Sequence, residues 1–211
     1  MGSDKFFNFD CDTSSFIYLA IAEKLEIPLY FIEVKNFGEA LNHNFVRWDL
    51  GGGVWIDWDT NDRRVREVSK PQGIYGTSYT PKMLHSYLIF LQGLEWKRQN
   101  KLSKEIAAYR VAMMIDAGLP HAANNMAWAF VENLQAQKFV SAKEALKCAE
   151  FAVQTDRDPN FLDTLAAVHA ELGDFDRAVL IQEEVVREKP TDEFKKRLEG
   201  YKKRLTYLQQ Q

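Results

Sequence analysis

A spacing of 34 residues between two small side chains, Gly93 and Ala127, is the feature that most constrains how this chain folds. From about residue 81 onward, apolar residues recur at every third and fourth position, which predicts amphipathic helices. Each of the two small residues lies in such a helix, at a point where a neighbouring helix has to pack closely. Self-similarity at a fixed period of about 20–50 residues predicts stacked helical units.

Three successive helix pairs can be placed on this period. The first pair contains Gly93 and then a helix with Ala108, Tyr109 and Ala112, a small–aromatic–small pattern that suits close helix packing. The second pair starts near residue 119, includes Ala127, and carries an insertion over residues 135–141. The third pair is the clearest, and it reads as a helix over residues 161–166, a turn at Gly173-Asp174, the packing residue Ala178 and a stop at Pro190.

These pairs resemble tetratricopeptide repeats over roughly 125 residues. The resemblance implies a right-handed superhelix whose concave face binds a peptide or another domain. We therefore assign residues 81–211 to an all-α domain of about three repeats, and we expect residues 192–208 to form a charged amphipathic capping helix. An ordinary helical bundle is the alternative. The run Lys195-Lys196-Arg197 is interpreted as a solvated face, and Cys148 as a small core residue.

The first half of the chain has a different character. Asp12-Thr13-Ser14-Ser15 supplies N-capping residues, and residues 16–25 are almost wholly apolar, which predicts a helix buried on all sides. Cys11 then lies at the positive end of that helix, where the macrodipole favours the thiolate and lowers the thiol pKa. Free backbone N–H groups at the same end are able to hold an oxyanion.

A β-hairpin is predicted around Gly51-Gly52-Gly53, because aromatic and β-branched runs flank these glycines. A three-residue loop over residues 50–52 would place His43 opposite Asp59, Phe45 opposite Asp57, and Arg47 opposite Trp55. Residues 60–80 are interpreted as a solvated connector.

The order of a helix-start cysteine, a strand histidine and an aspartate on the next strand resembles the transglutaminase-like, papain-type cysteine superfamily. The matching segments run from Asp10 to Ala20, from His43 to Trp48, and from Trp58 to Thr60. The resemblance implies that Cys11 is the nucleophile, His43 the acid/base and Asp59 the group that orients the imidazole. It assigns residues 1–80 to an α+β domain lacking the family's N-terminal helices, and is closest to bacterial proteins in which such a domain precedes tetratricopeptide repeats.

Composition excludes several classes of protein. A formal net charge of -3 argues against a dedicated nucleic-acid binder, and no apolar run is long enough to span a bilayer. The two cysteines and four histidines form no metal-ligand motif, so we expect neither a metal nor a cofactor. The first residues lack a secretory signal pattern, which favours a cytoplasmic protein.

Two functions follow from these patterns. The first is thiol-dependent acyl transfer or hydrolysis on a peptide or protein amide, of the protease, deamidase or transglutaminase type, with the repeats recruiting the substrate or a partner. The second is a catalytically inactive protein–protein interaction module, in which the cysteine fold only supports the repeats.

Overall fold

A computed structural model describes residues 11–34, 43–59, 64–68, 77–79 and 81–211. The chain divides into two compact units, Met1–Leu84 and His85–Gln211, and the division falls inside a helix. The described helices and strands are, in chain order, α1 (Cys11–Lys24), β1 (Leu29–Val34), β2 (His43–Asp49), β3 (Trp55–Asp59), β4 (Arg64–Val68), β5 (Thr77–Tyr79), α2 (Pro81–Arg98), α3 (Leu102–Ile115), α4 (Pro120–Glu132), α5 (Ala142–Thr155), α6 (Pro159–Glu171), α7 (Phe175–Glu188) and α8 (Asp192–Lys202).

In its described residues, the first unit is an α+β arrangement in which the helix α1 packs on an antiparallel sheet. The five strands lie in the order β4-β3-β2-β1-β5, so that β2 is central. The Ser15 hydroxyl of α1 donates a buried hydrogen bond of 3.0 Å to the Asn44 side chain of β2. Phe16 stacks on Phe31 of β1 with their ring centroids 5.4 Å apart. These contacts place α1 on the sheet face that carries Asn44 and Phe31.

The register of the β2–β3 hairpin differs from the prediction. Arg47 faces Asp57, and Asp49 faces Trp55. The predicted pairs of His43 with Asp59, Phe45 with Asp57 and Arg47 with Trp55 are therefore wrong by two residues. A shift of two residues leaves every side chain on its predicted face, because side chains alternate with a period of two.

The turn itself explains the shift. Leu50 and Val54 close the loop through a backbone hydrogen bond of 3.0 Å, so the three loop residues are 51–53 rather than the predicted 50–52. Gly51, Gly52 and Gly53 have φ values of 78°, 63° and 82°, a conformation that residues with a side chain rarely adopt. The Asp49 carboxylate accepts a hydrogen bond of 2.8 Å from the Gly51 N–H, which holds the first bend.

The predicted connector over residues 60–80 is wrong, because it contains two strands. β4 pairs with β3 from Arg64 to Val68, and β5 pairs with β1 from Thr77 to Tyr79. Both are edge strands, and edge strands commonly carry charged residues that prevent further strand pairing. Backbone pairing with β3 and β1 holds these two strands in the sheet, although their composition resembles that of a loop.

The prediction that residues 16–25 form a helix buried on all sides is also wrong. The exposed fractions of Ile17, Ile21 and Leu25 are 45%, 51% and 62%. These residues follow one another at a spacing of four, and they share one side of the helical segment. The sheet lies against one side of α1 only, and the opposite side keeps its apolar residues exposed.

The second unit consists of the three predicted helix pairs, α2–α3, α4–α5 and α6–α7, followed by α8. Gly93 lies where α2 and α3 approach closely. A Cβ atom at Gly93 would lie 2.5 Å from the Tyr109 ring and 3.3 Å from Cβ of Ala108. The sequence prediction that Gly93 is a close-packing position is confirmed.

The turns within the second and third helix pairs lie where the sequence predicts them. The insertion at 135–141 contains one 3-10 turn, Ala136–Lys138, and the chain is anchored there by the buried side chains of Ala136 and Val140. Gly173 has a φ of 80°, and Asp174 caps α7 by accepting a hydrogen bond from the Arg177 N–H. The α7 helix ends at Glu188, two residues before Pro190.

The capping helix α8 is shorter than the predicted 192–208. It ends at Lys202, because Arg204 takes a left-handed conformation with a φ of 56°. The Leu205 N–H donates to the Gly200 carbonyl at 3.0 Å, and the Arg204 N–H donates to the Tyr201 carbonyl at 2.9 Å. This pair of bonds is the Schellman arrangement that terminates helices. None of the helices in the described part of the chain has the length and apolar character that a bilayer crossing requires.

We predict that Gly93→Ala destabilises the full chain by about 1–2 kcal/mol. Overpacking a core costs about 1–3 kcal/mol, and the higher helix propensity of alanine offsets part of that cost. The Tyr109 ring, which would have to move, is fully buried. Urea unfolding followed by circular dichroism measures the difference. Gly118→Ala is the control, since the nearest atom to its Cβ, at 3.2 Å, belongs to the flexible Asp116 side chain. Equal stability of the two variants would contradict the close approach at Gly93.

Candidate functional site

A groove of about 310 Å³ lies in the second unit between α4, α6 and α8. Lys189 and Thr191, from the turn between α7 and α8, also line it. We call it the polar groove, because most of its lining side chains are charged or carry amides or hydroxyls. The residues lining it are Asn124, Asn125, Trp128, Asn160, Asp163, Thr164, Lys189, Thr191, Glu193, Phe194 and Arg197.

A buried ion pair between Asp163 of α6 and Arg197 of α8 joins two walls of the polar groove. Only 3% of Asp163 and 8% of Arg197 is exposed to solvent. The Asp163 carboxylate also accepts a hydrogen bond of 2.9 Å from the Gln182 side chain of α7. The guanidinium of Arg197 donates a further hydrogen bond to Glu193, one turn earlier on α8. The network therefore connects α6, α7 and α8.

Burial raises the pKa of Asp163 to about 6, from an ordinary value of 3.8. The charge of Arg197 and the hydrogen bond from Gln182 act in the opposite direction, but they do not outweigh the loss of hydration.

Arg197 also packs against aromatic rings. Its guanidinium carbon lies 4.9 Å from the ring centroid of Trp128 on α4 and 5.3 Å from that of Tyr207. The Trp128 and Tyr207 rings meet edge to face, with centroids 4.9 Å apart. The Tyr207 N–H donates a hydrogen bond of 3.1 Å to Glu171 of α6. The segment after α8 is thus attached to α4 and α6, and it forms a border beside the polar groove.

Several of the remaining polar groups of the groove are already hydrogen-bonded, since the Asn160 amide donates to Asp158 and the Thr164 hydroxyl donates to the Asn160 carbonyl. The Asn124 amide donates a hydrogen bond of 3.3 Å to Asn125, while its own buried Oδ1 atom has no hydrogen-bond partner among the described residues. Asn160 is exposed, and Lys189 makes no ion pair within the described part of the chain. The Lys189 ammonium lies 5.9 Å from the Phe194 ring centroid. Amide donors and acceptors, one cation and an indole ring are groups that bind a peptide segment.

The structure brings the main chain at Cys11, His43 and Asp59 to one end of the sheet. β2 begins at His43, and β3 ends at Asp59. The helix α1 begins at Cys11, and its early residues lie at this same end, since Ser15 contacts Asn44. The Cys11 and His43 side chains lie outside the described part of the structure.

Asp57 is not available to orient a histidine. The Arg47 guanidinium donates two hydrogen bonds to it, of 2.6 and 2.7 Å, and both residues are buried. Strand alternation places Asp59 on the same sheet face as Asp57. α1 packs on the other face, where its Tyr18 contacts Trp58 with ring centroids 4.2 Å apart. The triad of Cys11, His43 and Asp59 stays a prediction.

Sequence reasoning missed the two central residues of the polar groove. Arg197 was predicted to lie on a solvated face, but its guanidinium is buried against α4 and α6. Two signals in the sequence point to the pair. Asp163 is an acid within an apolar helix, and Arg197 follows it by 34 residues, the spacing that separates Gly93 from Ala127.

The prediction for Cys148 is confirmed. It is 5% exposed, and it lies on the buried side of α5 with Ala145, Ala149 and Ala152. Burial, together with the negative charge of Glu144, raises the pKa of the Cys148 thiol to about 11. Within the described residues, no group of three histidine, cysteine, aspartate or glutamate side chains is arranged to hold a metal ion.

Comparison with known proteins supports the helical repeat. No protein-family model matches the sequence, and no curated protein matches it. Among solved structures, the Arabidopsis OM64 TPR domain matches at 15% identity with a TM-score of 0.51, over 58% of this chain and 98% of that domain. The Sgt2 TPR domain from Aspergillus fumigatus matches at 23% identity with a TM-score of 0.49, over 59% of this chain and 79% of that domain. The first TPR of Spaghetti (RPAP3), bound to the HSP90 peptide SRMEEVD, matches at 21% identity with a TM-score of 0.49, over 56% of this chain and 90% of that structure.

The match to the Arabidopsis domain shows a tetratricopeptide-type helical fold, and at this identity it shows the fold alone. The repeat part of the sequence prediction therefore agrees with a solved structure. The transglutaminase-like assignment of residues 1–80 stays a prediction.

We predict that the buried carboxyl of Asp163 makes stability depend on pH. The folded chain holds this proton up to about pH 6, whereas an unfolded aspartate releases it near 3.8. The unfolded state therefore binds fewer protons between these values, and stability falls by about 1–3 kcal/mol as pH rises through the window. Asp163→Asn removes the titrating group. Urea unfolding at several pH values measures how the free energy of unfolding depends on pH. We expect the fall in this free energy between the two pKa values to be absent in the variant. The same pH dependence in both chains would contradict the raised pKa.

Proposed function

We propose that this chain is a protein-interaction module that holds a peptide segment of a partner in the polar groove. The observation that carries the proposal is the composition of the groove wall, in which the partly exposed Trp128 lies among hydrogen-bonding side chains and the exposed residues Asn160 and Lys189. Aromatic, hydrogen-bonding and charged groups together suit the side chains and the backbone of an extended peptide.

The size and shape of the groove support a peptide. Its volume of about 310 Å³ lies at the lower end of the usual range for ligand sites, about 300–1,000 Å³. Trp128 is partly exposed in the groove wall, and the buried Thr164 also lines the groove. Aromatic side chains surrounded by hydrogen-bonding groups are typical anchors of protein interfaces.

The charges of the groove favour a segment with a carboxylate near its α7–α8 end. Arg197 is neutralised by Asp163 and Glu193, whereas Lys189 has no ion-pair partner in the described chain. A carboxylate beside Lys189 would gain electrostatic attraction without displacing an existing pair.

The test begins with a selection of phage-displayed peptides on the immobilised full chain. We expect the enriched peptides, synthesised and fluorescently labelled, to bind Asn160→Arg at least about tenfold more weakly than the parent chain. Asn160 is exposed on the groove wall, so a larger side chain there blocks the groove without disturbing the core.

Gln154→Arg is the matched control, because it adds the same side chain at an exposed position of α5 that does not line the groove. We expect it to bind the peptides like the parent. If Asn160→Arg and Gln154→Arg bind the selected peptides equally well, the polar groove is not their site.

Thiol-dependent acyl transfer is the second candidate function. The observation in its favour is that the main chain at Cys11, His43 and Asp59 lies at one end of the sheet, although strand alternation puts Asp59 on the face opposite α1. In this proposal the Cys11 thiolate attacks an amide carbon to form an acyl-enzyme. His43 protonates the leaving amine and then activates water or an acceptor amine, while Asp59 supports the imidazolium.

Thiol reactivity tests this second candidate. With iodoacetamide near pH 7, Cys11 should be alkylated at least about tenfold faster than Cys148, because a buried thiol with a pKa of about 11 is almost entirely protonated. Mass spectrometry of the full chain locates the label. Asp59→Asn should slow the labelling of Cys11, whereas Glu23→Gln, which removes one charge from an exposed site on α1, should not. Equal rates in both variants would remove Asp59 from the proposed triad.

A further inference from the structure

The second unit carries another groove, and its chemistry differs from that of the polar groove. It has a volume of about 640 Å³ and lies between α3, α4 and α5. We call it the methionine groove, after the three methionines among its apolar lining residues, Met113, Met114, Met126, Cys148 and Phe151. No residue lines both grooves.

The methionine groove has a buried floor and an exposed edge. Met126 and Cys148 are 2% and 5% exposed, whereas Met114 is 84% exposed. Covering a large apolar side chain that is almost fully in water lowers the free energy, so it favours binding of a partner. Methionine side chains are unbranched and flexible, so they adapt to apolar groups of different shape.

Positive charge borders this apolar surface. Lys143 and Lys147 lie one helical turn apart on α5, and both are exposed. Neither forms an ion pair with another described residue, whereas Glu144 between them is held by two hydrogen bonds of 3.0 and 2.9 Å from the Arg110 guanidinium. The border therefore presents two cations whose charges are not neutralised locally.

We infer that the methionine groove is a second docking surface, and that it takes an acidic amphipathic helix of a partner protein. Apolar side chains of that helix would fill the groove over Met126 and cover Met114. Carboxylates one turn apart on the helix would face Lys143 and Lys147, which have the same spacing. This inference concerns a different surface from the peptide site proposed above, and it does not depend on that site.

Two synthetic helices serve as probes. Each is fluorescein-labelled and about 14 residues long, or roughly four turns, with leucine on one face. The first has glutamate on the flanking positions, and the second has lysine at the same positions. We expect fluorescence anisotropy on the full chain to show binding of the glutamate helix that weakens as salt is added. The lysine helix should bind at least about tenfold more weakly.

Variants of exposed residues then locate the site without affecting the core. Lys143→Glu combined with Lys147→Glu should reverse the preference between the two helices, and Met114→Asp should weaken binding of the glutamate helix at least about tenfold. Lys195→Glu combined with Lys196→Glu makes the same change of charge on α8, away from the groove, and should preserve the preference. Circular dichroism checks that each variant is folded.

Three results would overturn the inference. The first is equal binding of the glutamate and lysine helices to the parent chain. The second is unchanged affinity after charge reversal at Lys143 and Lys147. The third is a concentration-dependent dimer, seen by analytical ultracentrifugation, that Met114→Asp converts to a monomer, because a second copy of the chain would then occupy the groove.

Discussion

The buried ion pair between Asp163 and Arg197 is the contact on which the arrangement of α6, α7 and α8 depends. Gln182 ties the same carboxylate to α7, and Trp128 and Tyr207 pack against the guanidinium from α4 and from the segment after α8. Losing one partner of a buried pair leaves an uncompensated charge, at a cost of about 3–5 kcal/mol. The intact pair adds little net stability, since desolvation offsets most of the attraction. Its main effect is to fix the positions of the helices that line the polar groove.

The repeat unit was predictable from the sequence because its decisive signals are local. Gly93 indicates close helix packing at its own position. Gly173-Asp174 likewise indicates a turn where the structure has one. The candidate site was less predictable. Arg197 belongs to a basic run that, read locally, indicates a solvated face, and only its contact with Asp163 on another helix makes it a buried residue.

The sheet unit was harder to predict, because its structure rests on pairing between distant residues. The hairpin register follows from three consecutive left-handed glycines and from the pair Arg47–Asp57, neither of which a count of loop residues reveals. β4 and β5 are held as edge strands by backbone hydrogen bonds that depend little on side-chain type. The hydrophobicity of α1 predicted burial on all sides, although the sheet contacts only one of them.

The 34-residue offset between Asp163 and Arg197 also limits how such an array evolves. The offset equals the Gly93–Ala127 spacing, so the two residues occupy corresponding places in successive repeats. Duplicating the third repeat would set an aspartate from the copy against Asp163, where two buried carboxylates would repel each other. Deleting that repeat would leave Arg197 without its carboxylate. A whole repeat can therefore be added or removed without such a mismatch only where no buried charge pair crosses from one repeat to the next.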